Sequence, residues 1–476
     1  MGGRINYIVK KITIFIFISI GLSQDIRYLD EVFENVTITE DVVYGNAPDL
    51  PFIFLFEWIT IDIDLDMDIY EPEGDTLTSR PVIIFIHTGA FFSGHNELDD
   101  VVALSIASAK RGYVAVSINY RLGLNILSSY SGERAVYRGV QDASAAVRYL
   151  KEFHEELNID PDNIFIWATS AGSFIGLHLS YTDDEDRPES TYGIGLDPDL
   201  GCIDCEGNEY IHDSRPEALV SCWGAIGDLD WIDDSDHVPS VLFHGTLDPI
   251  VPFNSGFPFT IDIALPIVYG SNLIHDRLDE IGILNELYAE VGLLHEYWGT
   301  VNGNWLGGPN EYFDQIKNDG FMFLYNQLDI FEQLYIENTH SWNLVGLPLE
   351  VEEASYISLF PESIEGTLFS YNNGYLSETN LTLGEGYWLR FPDSGNTEIT
   401  GIPINDLTIS LNEGWNLISG TTNFMNVLDI QDPSGIIIPG TIYRFTPEGY
   451  SNAESLEPGR GYWIRANISG VITLEN

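Results

Sequence analysis

The sequence predicts an α/β fold with a mostly parallel sheet flanked by helices, followed by an all-β C-terminal domain of two repeats. Three observations carry that expectation. Unbroken apolar runs such as "PVIIFIH" (81–87), "GYVAVSINY" (112–120) and "NIFIWAT" (163–169) read as strands buried on both faces. They alternate with stretches of helical periodicity, as right-handed β–α–β crossovers require. Beyond about residue 337 the pattern changes to short strand-like runs and turn residues that repeat.

The elements follow in order. Residues 60–70, "TIDIDLDMDIY", alternate apolar and acidic side chains, which predicts a strand with Ile61, Ile63, Leu65, Met67 and Ile69 on its buried face. Its four aspartates then face solvent, because same-face residues about 6.6 Å apart are poorly spaced to share one calcium ion. "ELDDVVALSIASAKRG" (97–112) predicts a helix stopped by glycine, and "ERAVYRGVQDASAAVRYLKEFHEEL" (133–157) a longer one. Strands follow at "EALVSCWGAIG" (217–227), "PSVLFHG" (239–245) and "NELYAEVG" (285–292). A helix near 272–282 precedes the last strand, and 311–328 reads as a closing helix.

In the tail, "SWNLVG" (341–346) matches "GWNLIS" (414–419) and "GTLFSY" (366–371) matches "GTIYRF" (440–445). "GEGYWLR" (384–390) matches "GRGYWIR" (459–465). Three ordered matches at offsets of 73 to 75 residues predict repeats over about 341–400 and 405–476, in a domain spanning 338–476. The pairs Tyr387-Trp388 and Tyr462-Trp463 either stack on sugars or fill the core of a small β domain. Their recurrence at strand-like positions favours the core.

Composition bounds the function. The chain has 20 Lys and Arg against 73 Asp and Glu, a formal charge of −53, which disfavours nucleic acid as a partner because phosphates demand a basic face. Residues 1–23 read as a signal peptide: Arg4, Lys10 and Lys11, then the apolar run Ile12–Ile20, then small Gly21 and Ser23 before a cut at Ser23–Gln24. An uncleaved anchor is the alternative, although the run is short of the ~20 apolar residues a spanning helix needs. The expected location is secreted, extracellular or at the cell surface. Cys202, Cys205 and Cys222 allow one bridge and one spare thiol. A lone C-x-x-C without companion ligands argues for a local bridge rather than zinc.

Four stretches carry chemistry. "NIFIWATSAGSFIGLHLSY" (163–181) runs from strand through the small-residue turn Ala168-Thr169-Ser170-Ala171-Gly172 into a helix. That is the context of a G-x-S-x-G nucleophile elbow, with alanine at its first glycine. Serine is a weak nucleophile unless a base takes its proton and N–H donors meet the oxyanion. "HTGAFFSG" (87–94), directly after an apolar strand, offers the main-chain N–H groups of Gly89 and Ala90, and Ala171 offers a third. "VLFHGTLDPIVPF" (241–253) ends a strand in a loop carrying Asp248, where an acid can orient a histidine; Asp228 competes for that role. The order Ser, Asp, His leaves His275, His295 and His340 as bases. His275 lies in a helical stretch and His340 borders the repeats, so His295, in a strand-end loop, is the choice. His87, His95 and His244 flank the site as structural or lining residues.

"HTGAFFSG", "SINYRLG", "YRGVQDASAAVRYLKE", "NIDPDNIFIWATSAG" and "LFHGTLDPIVPF" together resemble the α/β-hydrolase superfamily. They are nearest to secreted bacterial carboxylesterases of the feruloyl- and acetyl-esterase kind, over about residues 50–325 of a domain set at 24–337. The resemblance implies Ser170 as nucleophile, Asp248 as acid, His295 as base, and Gly89, Ala90 and Ala171 as oxyanion donors. It implies no cofactor or metal, and an ester substrate cleaved through an acyl-enzyme, a carbohydrate-linked ester being one candidate. Two departures stand out: Thr88 replaces the first glycine of the family's H-G-G-[GA]-F loop, and Ala168 the first glycine of the elbow. The rivals are a serine peptidase of the same fold, and a non-catalytic surface protein touching polysaccharide or the cell surface through its C-terminal repeats.

Overall fold

The computed structural model describes residues 26–50, 57–125, 127–128, 130–260, 266–328, 331–351 and 353–475; the expected signal segment and its cut lie outside them. Eight strands form the main sheet: β1 (Val36–Asp49), β2 (Ile61–Pro72), β3 (Arg80–Ile86), β4 (Val114–Ile118), β5 (Ile159–Thr169), β6 (Ala218–Cys222), β7 (Ser240–Gly245) and β8 (Asn285–Glu290). Their spatial order is β1-β2-β4-β3-β5-β6-β7-β8. Only the pairings made by β2 are antiparallel, and the six strands from β4 to β8 run parallel.

Every residue of β3, β4, β6 and β7 is buried, which is why those segments read as unbroken apolar runs. Five helices cover the sheet: α1 (Asp99–Arg111), α2 (Ser131–Glu152), α3 (Ala171–Tyr181), α4 (Ser271–Ile281) and α5 (Glu311–Tyr325). Strand β3 sends Ile84 and Ile86 into one core with Val140 of α2 and Ile175 of α3. It sends Ile83 and Phe85 into the other, with Leu104 of α1 and Phe321 of α5. The buried charges on α2 are paired: Asp142 meets Arg121 at 2.7 Å, and Glu57 meets Arg134 and Arg138 at 2.5 and 2.9 Å.

The alternation in "TIDIDLDMDIY" forms the expected strand, with two differences. Ile61 is exposed, because β2 is covered by β4 only from Met67 to Tyr70 and its first half projects past the sheet with β1. Asp68 is buried rather than solvated. It accepts the Asp41 N–H at 3.0 Å, where Asp41 turns to φ 57° at a bulge in β1. Cys202 and Cys205 are joined in a disulfide beside α2, whose Gln141 amide donates to the carbonyls of Leu200 and Cys202; Cys222 is a buried free thiol.

The C-terminal region is two copies of one four-stranded antiparallel sheet. The first holds Ser341–Gly346, Gly386–Phe391, Phe369–Tyr371 and Tyr375–Ser377; the second Gly414–Ser419, Gly461–Ala466, Tyr443–Thr446 and Gly449–Asn452. Registers correspond, Trp342 opposite Arg390 as Trp415 is opposite Arg465. A further strand pair accompanies each copy, Glu332–Asn338 with Gly395–Pro403 and Asp406–Leu411 with Gly470–Glu475. The repeated unit therefore starts at Glu332, ahead of the expected domain edge at 338; its first strand, "EQLYIEN", lies outside the three matched sequence motifs. One helical turn, Tyr356–Leu359, interrupts an otherwise all-β region.

The copies meet through reciprocal main-chain bonds, Gly346 N to Gly459 O at 3.1 Å and Ser419 N to Gly384 O at 3.0 Å. A Cβ on Gly346 would stand 2.1 Å from the Ser419 Cβ, so that contact admits only glycine. Gly346→Val is expected to destabilise the repeat pair by about 1–3 kcal/mol, read as a lower urea midpoint for the β region in the full chain.

Candidate active site

Ser170 sits at the junction of β5 and α3 with φ 49° and ψ −112°, a conformation costly for a non-glycine residue and held there by its neighbours. Its N–H donates to Cys222 O at 2.9 Å. The Ser173 hydroxyl donates to Ala168 O at 2.7 Å, lies 2.9 Å from Cys222 O, and accepts the Cys222 N–H at 3.0 Å. These bonds pin the turn to β6. The methyl at 168 has room: even a Cβ placed on Gly176 of α3 would stay 3.4 Å from it, an ordinary contact.

Gly172 has no such latitude. A Cβ on it would fall 2.2 Å from Ile86 O and 2.9 Å from His87 O, so the start of α3 lies directly against the end of β3. That contact brings the Ala171 N–H beside the loop at 87–94. In the loop Gly89 takes φ 130°, Ala90 54° and Phe91 57°, and a Cβ on Gly89 would fall 1.8 Å from Ser93 O. The tight turn is closed by the N–H groups of Phe92 and Ser93 donating to Gly89 O, both at 3.0 Å. The N–H groups of Gly89, Ala90 and Ala171 have no protein acceptor among the described residues.

Asp248 follows β7. Its Oδ1 accepts the N–H groups of Ile250 and Val251 at 2.8 and 3.0 Å, and its Oδ2 lies 2.6 Å from His295 Nδ1. His295 Nε2 lies 2.9 Å from Ser170 Oγ. Burial raises the Asp248 pKa, but hydrogen bonds from His244 and His295 and their charges outweigh it, holding the carboxyl below the usual carboxylate range. The anion orients the ring with Nδ1–H toward Asp248, leaving Nε2 free to accept from the serine hydroxyl. The histidine loop reaches this place by crossing β7 at Gly245, where a Cβ would meet Leu293 O at 2.5 Å. The Asp248 side chain is fully buried and that of His295 is 13 % exposed, so the row opens to solvent at the histidine.

The other candidates lie elsewhere. Asp228 caps Asp230 N at 3.0 Å and lines a cleft of about 170 Å³ with Phe174, His178 and Trp231, which includes neither Ser170 nor His295. His275 is on α4, bonded to Asn285, and His340 is at the β region. His244 bonds Ser271 Oγ and Val251 O, and His87 stacks on Tyr120 at 4.3 Å. Sequence reasoning missed Glu296 and Trp223. Trp223, fully buried with φ 46°, presents its ring edge-on to His295 at 6.1 Å. Glu296 is buried and accepts the Thr88 hydroxyl at 2.8 Å. The signal for Glu296 was the departure at Thr88, a hydroxyl in a glycine loop that needs an acceptor. No group of side chains disposed to hold a metal occurs among the described residues.

Residues 67–213 match the BD-FAE family model, an α/β-hydrolase esterase family. The match spans β2 to the disulfide loop and includes the elbow and the 87–94 loop. The eight-stranded, mostly parallel sheet with its covering helices is the α/β-hydrolase kind of fold, and this stretch is similar to that family. The chain is 31% identical over 114 residues to juvenile hormone esterase of Tribolium castaneum, covering 24% of this chain and 19% of that protein. It is 33% identical over 95 residues to para-nitrobenzyl esterase of Bacillus subtilis, covering 19% of each. The chain thus spans about a fifth of the length of these curated relatives. A solved structure of Thermogutta terrifontis esterase 2 aligns over 63% of this chain and 97% of its own, with 21% identity and a TM-score of 0.40.

Burial holds the His87 imidazole down to about 4, below the ~6.5 of a free histidine. As pH falls below ~6.5 the unfolded chain binds a proton that the folded chain refuses, so stability present above that pH is lost progressively until about 4. His87→Phe keeps a ring on Tyr120 and removes this loss. The fall in urea midpoint between about pH 7 and about pH 4.5 should be smaller in the variant than in the wild type.

Proposed function

We propose that the hydrolase domain is a serine carboxylic-ester hydrolase working through an acyl-enzyme. The observation that carries this reading is the unbroken hydrogen-bonded row from Asp248 through His295 to Ser170, at 2.6 and 2.9 Å. His295 Nε2 takes the Ser170 proton as Oγ attacks the ester carbonyl, and Asp248 stabilises the imidazolium so formed. The N–H groups of Gly89, Ala90 and Ala171 receive the oxyanion. The imidazolium then protonates the leaving alcohol, and a water that gives its proton to His295 hydrolyses the acyl-serine.

Hydrolysis of p-nitrophenyl acetate tests this. Ser170→Ala and Asp248→Asn, which preserve shape, should each lower kcat by roughly 10⁴-fold or more, with unfolding midpoints near wild type. Equal rates for wild type and Ser170→Ala would remove Ser170 as the nucleophile.

Export to an oxidising compartment is part of the proposal, supported by two things: the Cys202–Cys205 disulfide and the signal-like pattern of residues 1–23 in the sequence. A polysaccharide-binding role for the β region is a second reading, favoured by a specific observation. Tyr387 and Tyr462 are buried core residues, but Trp342, Tyr375, Trp415 and Tyr450 are exposed and line two aromatic clefts. Each cleft is closed by the other repeat: Phe445 packs on Trp388 and Tyr371 on Trp463, both at 4.8 Å between ring centres. Full-length protein should be retained on an insoluble polysaccharide, and Trp342→Ala with Trp415→Ala should release it; no retention on any polysaccharide would discard the reading.

A further inference from the structure

We propose that Glu296 is a positioning residue: its carboxylate clamps the loop of the oxyanion donors to the loop of the catalytic histidine. The inference rests on the esterase reading above and assigns a role to a residue that the triad does not use.

Glu296 follows His295 directly and takes φ 47°, a left-handed conformation that turns its side chain away from the imidazole and into the protein, where it is 5 % exposed. Both oxygens are engaged, and only by donors. Oε1 accepts from the Thr88 hydroxyl at 2.8 Å; Oε2 accepts from the Thr300 hydroxyl at 3.1 Å and the Gly303 N–H at 3.2 Å. Three donors on a buried carboxyl fit the anion, and hydrogen bonds to an anion are roughly twice as strong as neutral ones. The carboxyl of Asp100, fully buried nearby with one oxygen lacking a partner, has its pKa raised well above the usual range, first by burial and then by the charge of Glu296.

The clamp has two jaws. One is Thr88, between His87 and the donors Gly89 and Ala90. Thr88 stands where the loop's first glycine is expected, and the hydroxyl it brings finds its acceptor in Glu296. The other jaw is the segment 296–303, fixed by the Trp298 indole donating to Thr300 Oγ1 at 2.8 Å and by Asp100 N donating to Gly303 O at 3.1 Å. A second tie joins the same loops, Asn302 Nδ2 donating to Ser93 Oγ at 3.0 Å. Histidine and oxyanion donors must be placed together to within a few tenths of an ångström, because they act on the same tetrahedral centre. Residues 87–90 and 295–296 come from strands at different places in the sheet, and the carboxylate of Glu296 joins them directly.

The test is the kinetics of p-nitrophenyl acetate hydrolysis by Thr88→Val, Thr88→Ser, Glu296→Gln and the double variant Thr88→Val/Glu296→Gln. Valine keeps the shape of threonine and removes only the hydroxyl, so it does not depend on tolerance of a change at the buried glutamate. We expect Thr88→Val to lower kcat by roughly 10- to 100-fold with KM within about threefold and the pH midpoint unchanged. Thr88→Ser should recover to within about threefold of wild type, and the double variant should fall no further than the worse single one. Wild-type kcat in Thr88→Val, failure of serine to rescue, or additive losses in the double variant would overturn the positioning role alone. A wild type no faster than Ser170→Ala would overturn the esterase reading and the role together.

Discussion

The site depends on one close approach, that of the first turn of α3 to the carboxyl end of β3. Gly172 meets Ile86 O and His87 O at a distance no side chain permits. Because of that contact, the helix leaving the elbow and the loop leaving β3 share one small volume. The strained backbone at Ser170 is the other half of the same constraint. Its φ of 49° turns the hydroxyl out of the strand while the N–H is held by Cys222 O, so the strain is fixed by the parallel sheet itself. The Ser173 hydroxyl secures the turn from beneath, with Ala168 O and Cys222 O both within hydrogen-bond reach.

Electrostatics at the site is a matter of local arrangement rather than net charge. The chain is strongly acidic, yet three buried carboxyls within two adjoining loops and one helix end behave differently. Asp248 is kept ionised by two main-chain donors and two histidines. Glu296 is met by three donors. Asp100, with a single main-chain donor and a neighbouring negative charge, is pushed toward its neutral form. Donors hold the Asp248 carboxyl down, whereas burial and a neighbouring like charge push that of Asp100 up.

Much of this was legible in the residue order. Strands buried on both faces leave unbroken apolar runs, and β3 to β7 appear where those runs are. Ser170, Asp248 and His295 could be chosen because each ends a strand and the three follow in the order the fold uses; the hydrogen bonds among them span 47 and 125 residues, which no local pattern encodes. What stayed hidden depends on contacts between distant segments. Asp68 is buried by a bulge in β1, Ile61 is exposed because β4 is shorter than β2, and the first strand of the repeat at Glu332 is recognised only by its partner at 395–403. The alanine at 168 and the threonine at 88 looked like defects in two motifs. The first methyl has room beside α3, and the second side chain finds its acceptor in Glu296, 208 residues away.

The central claim is that Ser170 is a nucleophile activated by His295. Labelling with a fluorophosphonate, which phosphonylates only an activated serine, followed by peptide mass spectrometry, tests it most directly. The account predicts one adduct, on the peptide carrying Ser170, formed rapidly in the wild type and lost or greatly slowed in His295→Ala. An unlabelled wild type, an adduct on another serine, or equal labelling of His295→Ala would contradict it.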